Sequence, residues 1–523
     1  MIAQPQTLLH TNLFPPRTLG VGFHNVGSEG VLRASNETIV KKIQHYYGER
    51  CGHLPLNATN IRALVDHPSE DIRAQMAYLS TLFDKNIIPI TFDELKRETL
   101  ATDPSYLSSP LSPVGADLSH PLPHQELVGA DLSRPAPIYR PPLVVPYINV
   151  PEIETRLHNE YKAESWGLPG IMTHALKNKV SFYRLADEFN LPGFYPPDYT
   201  VAHIFDVARE AEKFLQRIED IYQKAGVAGA YPLGVMLRAS EEDGNYGSCL
   251  VYEDAGGIVV VEDGDAEHAH FYQHWQEALA NSQEHLITTM NLHKETRVVI
   301  SRYIDFEDSP GMSVVIMNDR IETLGWNGQL QKPGSKACVG TSTYIPKNAY
   351  MQRMQQEYEQ QTTAFFETLL RKTAQKCGID FASIRGVANL DIMIPGELEK
   401  TLQQQRKQPQ GNYLAECNPR WTNYTDAIMV VLGANRKEQT ISNMREVIQT
   451  GIWSIDKHLL PQGVDPQTVR ARIAERDAIL KEHGTRILCR MAKNPMGLIF
   501  AGNLARAQQE VNEIAALLSV QRA

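Results

Sequence analysis

Two carboxylates and one amide stand where they can share a ligand. In residues 387–394 (VANLDIMI) the single charged residue is Asp391. In residues 413–420 (YLAECNPR), Glu416, Asn418 and Arg420 recur at every second position. Both runs read as strands that start buried and end in polar groups. Alternate side chains of a strand share a face, so Glu416, Asn418 and Arg420 project together while Ala415 and Cys417 face away. A carboxylate, an amide oxygen and a guanidinium on one face make a poor core. Glu416 and Asn418 offer hard oxygens suited to Mg²⁺, which is commonly held by one or two carboxylates together with substrate phosphates. Asp391 on the neighbouring run supplies the second carboxylate. Arg420 stands where phosphate oxygens or an acyl phosphate need a planar, charged donor. A lone E-x-N-x-R reads more simply as solvated acids neutralised by an arginine. The pairing of two acids on two apolar runs favours a site.

A second constellation lies upstream. Residues 234–251 read as strand, basic residue Arg238, a loop carrying Gly244 and Gly247, and a second strand. Backbone N–H groups of such a loop can wrap over phosphates, and the plain alternative is an ordinary hairpin. Glu241, Glu242 and Asp243 open the loop and would repel phosphate unless turned away or holding metal. Other candidates are weaker. His268, His270 and His274 lack a further ligand at a familiar spacing and read as a solvated helix. Gly20 and Gly22 shape a turn, because the third glycine of a dinucleotide fingerprint would fall on Asn25. No Ser-His-Asp or Cys-His set stands out.

With E-x-N-P-R at Glu416–Arg420, an acid at Asp391 on the strand before it, and the 234–251 loop, the chain resembles the ATP-grasp superfamily. The pair Asn178-Lys179, followed by a helix and the stop LPGFYPP at 191–197, resembles the opening of that family's nucleotide-binding lobe. The resemblance implies that Lys179 reaches the ATP phosphates and that Arg238 stands where the family carries lysine. It also implies a hinge after residues 297–302, where Tyr303 and Asp305, or Glu307 in place of Asp305, meet the adenosine. The usual hinge glutamate is replaced by Ser301 or Arg302. Cofactor-binding residues are then Lys179, Arg238, Gly244, Gly247, Tyr303 and Asp305. Asp391, Glu416 and Asn418 hold metal, and Arg238 and Arg420 are catalytic. The implied fold is α/β (α+β): an ATP-grasp fold over 166–523, preceded by a smaller α/β pre-ATP-grasp domain over 1–165. The implied activity is ATP-dependent joining of a small-molecule carboxylate to an amine, an amino acid or peptide, through an acyl phosphate with release of ADP. Alternatives are an ATP-grasp enzyme with a kinase-like or carboxylase-like acceptor, or a non-catalytic nucleotide-binding module.

The elements needed to hold these groups can be read in outline. Residues 19–23 and 86–90 read as strands, and 37–47, 69–83, 176–186, 205–224, 351–376, 469–481 and 504–518 as helices. Residues 312–317 and 320–325 form a hairpin around Asn318-Asp319, and 332–341 a loop fit to shape an acceptor pocket. Residues 486–489 read as one more short strand. Between 101 and 145 proline is dense and Val-Gly-Ala-Asp-Leu-Ser occurs twice, at 114–119 and 128–133, which reads as an exposed insertion. The chain has 523 residues, of which 42% are hydrophobic and 21% charged, an ordinary globular composition with room for two to four domains. A formal charge of −10 argues against general nucleic-acid binding. No apolar run approaches the ~20 residues of a membrane helix. Six scattered cysteines form neither a disulfide framework nor a zinc site, and the expected home is the cytoplasm. A homodimer is compatible with all of this.

Overall fold

The computed structural model describes residues 9–14, 19–23, 50, 58, 60–65, 68–102, 141–240, 247–264, 268–289, 296–331, 338–345, 349–458, 465–492, 496–503, 506, 507, 509, 510 and 512–514. The fold is mixed α and β, and the described residues form three sheets. The first contains β1 (Leu19–Phe23), β2 (Asn60–Leu64), β3 (Asn86–Ile90), β4 (Leu143–Pro146) and β5 (Glu164–Ser165), all parallel in the order β3-β2-β1-β4-β5. Runs such as LVVP in β4, buried at all four positions, suit a parallel sheet covered on both faces. The Pro-rich stretch therefore ends earlier than its composition suggests, at this strand. The repeat itself and the helix expected over 37–47 lie outside the described residues.

A two-residue strand, β6 (Phe194–Tyr195), leads to the second, antiparallel sheet. It contains β7 (Tyr199–His203), β8 (Gly234–Ala239), β9 (Ser248–Asp254), β10 (Gly257–Glu262), β11 (His270–Tyr272) and β12 (Arg297–Arg302), in the order β11-β10-β9-β8-β12-β7. Val235, Leu237 and Ala239 face the helices Val207–Ala225 and Trp275–Thr289, together with Val298 and Ile300. The period-2 pleat turns Met236 and Arg238 to the opposite face. The helix Val207–Ala225 buries Ala211, Phe214, Leu215, Ile218 and Tyr222 at helical spacing and stops at Gly226, whose φ of 68° is left-handed. The histidine reading is corrected here: His270 lies on β11, and the following helix starts only at Trp275. Pairing of β11 with β10 decided this, and no local pattern announces it.

The third sheet takes β6 and adds β13 (Phe306–Asp308), β14 (Gly311–Met317), β15 (Arg320–Gln331), β16 (Cys338–Thr343), β17 (Gly386–Pro395), β18 (Asn412–Asn418), β19 (Ile452–His458), β20 (Arg486–Met491) and β21 (Met496–Ala501). Asn318 and Asp319 turn the β14–β15 hairpin with φ of 53° and 61°, the pair of left-handed residues a two-residue hairpin turn requires. β20 matches the short strand read over 486–489, whereas β19 and β21 lie where no strand was read. Residues 332–337 of the expected acceptor loop and most of the 504–518 helix lie outside the described residues. The two faces of this sheet differ. Met312, Val314, Ile316, Ala388, Leu390 and Ile392 pack against helices that include Ala349–Lys376. Val315, Met317 and Val387 face the helix Asn423–Ala434 and the first sheet. Gly311, Ser313, Asn389 and Asp391 share that second face by alternation.

The helix expected over 176–186 is two helices, Gly170–Lys177 and Lys179–Phe189, divided at Asn178. Asn178 is extended, and its Oδ1 accepts the N–H of Ser181 at 3.0 Å. Asparagine suits such an N-cap because its short amide replaces a missing intrahelical acceptor. The break makes Lys179 the first residue of a helix.

Candidate active site

β17 and β18 are antiparallel neighbours whose register sets Asn389 opposite Asn418 and Asp391 opposite Glu416. The two acids predicted on separate strands thus meet as a cross-strand pair. Asn418 bridges them, with Nδ2 donating to Asp391 Oδ2 at 2.8 Å and to Glu416 Oε1 at 3.0 Å. Asp391 is 8% exposed and Asn418 9%. The Glu416 side chain is part-buried, 33% exposed, and two carboxylates this close resist double ionisation. Burial and the charge of Glu416 push Asp391 up to about 7, against smaller help from Asn389, Arg420 and Asn418. Burial also works to raise Glu416, but Lys179, Asn418, Arg238 and Arg420 outweigh it and hold that carboxyl below its usual range.

Three cations surround the pair. Lys179 Nζ lies 3.7 Å from Glu416 Oε2, and the residue is buried, 3% exposed. Its backbone N–H donates to Ser240 O at 3.0 Å, which fastens the helix start to the end of β8. Arg238 Nη1 donates to Ala415 O at 3.1 Å, and its Nη2 donates to Tyr183 Oη. That carbonyl is available because the β17–β18 register slips between Asp391 and Ile392, leaving Ala415 without a partner in a bulge. Tyr183 Oη also contacts Ala415 O at 3.3 Å and Leu414 O at 3.2 Å. Arg420 approaches from the first sheet's side. It lies 5.2 Å from the ring centroid of Tyr147 and donates to Tyr147 Oη at 3.0 Å and Trp421 O at 3.1 Å. Tyr183 was missed in the sequence, although it lies four residues after Lys179 and so shares its helix face.

The remaining predicted positions divide. Gly247 has φ of 71° and its carbonyl accepts from Ala239 N, closing the base of the 240–247 loop. Gly244, with Glu241, Glu242 and Asp243, lies outside the described residues. Tyr303 follows β12, with its N–H on Gly234 O at 2.9 Å and its ring stacked on Tyr252 at 5.8 Å. Val299 pairs with Arg238, so Tyr303 sits four residues further along, about 13 Å by strand rise. Asp305 is engaged through its backbone, donating to Tyr231 Oη at 2.9 Å and accepting from Gly396 N at 2.9 Å. Neither Tyr303 nor Asp305 contacts the acid pair.

Arg302, read as a replacement for the hinge acid, points into the protein. Its Nη1 and Nη2 fork onto Glu399 at 2.9 and 2.5 Å, and its Nε reaches Asp198 at 3.1 Å. Tyr231 and Tyr413 donate to the same Glu399. Arg406 holds Asp198 from the other side at 2.7 and 2.9 Å. This cluster ties the end of β12 to β18, the strand that carries Glu416.

No protein-family model matches the chain, and no curated protein matches its sequence. Among solved structures it is similar to N5-carboxyaminoimidazole synthase from Aspergillus clavatus, in complex with ADP and 5-aminoimidazole ribonucleotide. That match has 12% identity over 72% of this chain and 82% of that one, with a TM-score of 0.41. Biotin carboxylase from Campylobacter jejuni matches at 10% identity over 85% and 82%, with a TM-score of 0.43. D-alanyl-alanine synthetase A from Vibrio cholerae matches at 11% over 58% and 76%, with a TM-score of 0.33. At these identities and scores the likeness assigns neither substrate nor reaction to this chain.

Proposed function

We propose that this chain is an ATP-grasp ligase that joins a carboxylate to an amine, using ATP and Mg²⁺ and releasing ADP and phosphate. The observation that carries the reading is the β17–β18 register, which sets Asp391 opposite Glu416 with Asn418 touching both. The donor set fits a hard divalent cation. Asp391 keeps a proton to about 7 because it is buried beside the charge of Glu416, and a divalent cation would relieve both costs. Asn418 has its NH₂ turned into the gap, and rotating that amide would present Oδ1 as a third oxygen. Asp391, Glu416 and Asn418 would hold the ion, which when bound neutralises phosphate charge at the reacting end of the nucleotide.

The chain's own groups do the rest by placement. Lys179, Arg238 and Arg420 bring three positive charges to two negative ones, so an anionic triphosphate meets local positive charge on a chain of net −10. Lys179 adds the N-terminal end of an eleven-residue helix, where backbone N–H groups favour anions. Arg238 is pre-aimed by Ala415 O and Tyr183 Oη, so little rotamer freedom remains to be lost on binding. Carboxylate oxygen is a poor leaving group. Its attack on the γ-phosphate gives an acyl phosphate and ADP, and attack of the amine on the acyl carbon then expels phosphate. Charge neutralisation and positioning suffice for both steps, and no side-chain nucleophile is needed.

Release of ADP by the purified protein, screened against amino acids and short peptides, tests the reading. It stands if ADP forms only when both a carboxylic acid and an amine are present. ADP formed at the same rate without an amine would point to another acceptor, and no nucleotide binding at all would remove the proposal.

Two further outcomes follow from the same groups. Arg238→Ala should weaken ATP binding by about 1.5–3 kcal/mol, the size of a charge-assisted hydrogen bond. Arg238→Lys should recover part of this, since the charge survives and the fork does not. Equal ATP affinity of Arg238→Ala and wild type in calorimetry would separate β8 from the phosphates. The second outcome concerns protons. Asp391 is raised from 3.8 to about 7 in the fold, so between those values the folded chain holds a proton that the unfolded chain has lost. Stability from this group is full below about pH 4 and is lost as pH rises through 7. Binding of the magnesium nucleotide needs the carboxylate and should expel that proton. Calorimetry at pH 6 in buffers of different ionisation enthalpy should show release of about one proton, fading well above pH 7. Equal heats in all buffers at pH 6 would contradict this.

A further inference from the structure

Beneath Asp391 the third sheet carries polar side chains that the proposed reaction does not use. Register aligns Asp391 with Gly311, and Gly311 with Asn327, across three neighbouring strands. Asn389 and Ser313 form the adjacent row on the same face. Ser313 is fully buried, Asn389 is 3% exposed and Asn327 4% exposed. Their bonds run in one direction. Asn327 Nδ2 donates to Ser313 Oγ at 3.0 Å and to Asn389 Oδ1 at 2.8 Å. Ser313 Oγ donates to Asn389 Oδ1 at 2.9 Å. Asn389 Nδ2 donates to Asp391 Oδ1 at 2.7 Å.

With Asp391 ionised, as a ligand to a cation must be, the network fixes the direction. Asn389 Oδ1 takes two donors, so turning that amide over would set NH₂ against NH₂ and an oxygen against the Asp391 carboxylate. Gly311 seals the arrangement. A Cβ there would lie 2.6 Å from both Asp391 Oδ1 and Asn327 Oδ1 and 2.9 Å from Asn389 Nδ2, so any side chain at 311 would have to displace this network. Oδ1 of Asp391 is therefore committed to the sheet. Oδ2 faces Asn418 and Glu416.

We infer that Asn327, Ser313 and Asn389 are positioning residues that reserve one oxygen of Asp391, so that it offers a cation a single oxygen and the centre selects magnesium over calcium. The inference rests on the metal site proposed above. Its physical basis is coordination. Ca²⁺ takes six to eight oxygens and readily accepts both oxygens of one carboxylate, whereas Mg²⁺ demands a compact octahedron. A carboxylate prevented from turning both oxygens toward the ion penalises the larger one. Loss of groups that orient a metal ligand typically changes affinity 10–100-fold.

The test is displacement of Mn²⁺ from the protein–ADP complex by Mg²⁺ and by Ca²⁺, read from the EPR signal of bound Mn²⁺. Asn389→Ala should lower the Mg²⁺/Ca²⁺ preference about tenfold. Ser313→Ala, which removes one of the two donors to Asn389 Oδ1 and guards against poor folding of the first variant, should lower it in the same direction by less. Unchanged preference in both folded variants overturns the inference and leaves the metal site standing. Failure of wild-type protein with ADP to bind Mn²⁺ at all overturns the metal site and the inference together.

Discussion

Glu416→Gln is expected to abolish ADP release while leaving the protein folded. The substitution is close to isosteric and keeps an acceptor oxygen. What it removes is the one carboxylate that Lys179, Arg238 and Arg420 jointly hold ionised. Asp391 alone, pushed up to about 7, cannot replace it at neutral pH, although loss of the neighbouring charge will lower it. A cation then meets at most one formal negative charge from the protein. Losing one pre-organised charge-stabilising group in a desolvated site costs about 10²–10³ in kcat, and the loss of a metal ligand should be at least that large. Stability should fall somewhat, because the fold holds this carboxylate ionised and buried Lys179 loses its charged partner. The measurements are steady-state ADP release, Mn²⁺ binding and thermal unfolding. A variant with wild-type turnover would remove Glu416 from the chemistry. A variant that is inactive and also unfolded would make the acid pair structural.

The parts of this site that were readable share one property: their face follows from local periodicity. Glu416, Asn418 and Asp391 sit on strands of period two that end in polar residues, and a strand's alternation fixes the face. Their mutual register could not be read, because it depends on which strand lies beside which. The bulge at Ala415, which frees the carbonyl that Arg238 grips, shows in no residue type. Asn389 was legible in principle, standing two residues before Asp391, but a strand amide has many ordinary partners and only Ser313 and Asn327 give it a role. Between 452 and 501 the helix at 469–481 and the strand at 486–489 were readable, but β19 and β21 were not, for a related reason. β19, β20 and β21 are short and take their stability from each other and from β16, so the tertiary sheet outweighs local preference. His270 was placed on a helix face by spacing, and the edge of the second sheet claimed it instead.

Glu399→Leu should be the most destabilising single substitution near the site, although it touches no predicted ligand-binding residue. Glu399 lies on the helix Glu397–Gln405, whose sequence ELEKTLQQQ reads as a polar surface helix, yet it is fully buried. It takes both forks of Arg302 and the hydroxyls of Tyr231 and Tyr413. The cluster balances electrically: Arg302 and Arg406 against Glu399 and Asp198. Burial works to raise Asp198, but Arg406 and Arg302 prevail and bring it down to about 2. Asp198 therefore adds stability above its unfolded pKa near 3.8, which is lost as pH falls toward 2. Removing Glu399 leaves the guanidinium of Arg302 buried beside a single, shared carboxylate, and breaking such a pair from one side costs about 3–5 kcal/mol. Removing both partners need not. Arg302→Met with Glu399→Leu fills similar volume without a buried charge, and should cost clearly less than the sum of the singles. Urea unfolding of the four proteins closes that cycle. Additive losses would mean that the two side chains act independently despite their fork. The same variants test a link to the site, because the cluster joins Tyr231, which holds Asp305 N, to Tyr413 on the strand of Glu416. If the double variant is stable but binds ATP more weakly than wild type, the buried pair serves to fix the end of β12 against β18. If ATP affinity is unchanged, its work ends with the fold.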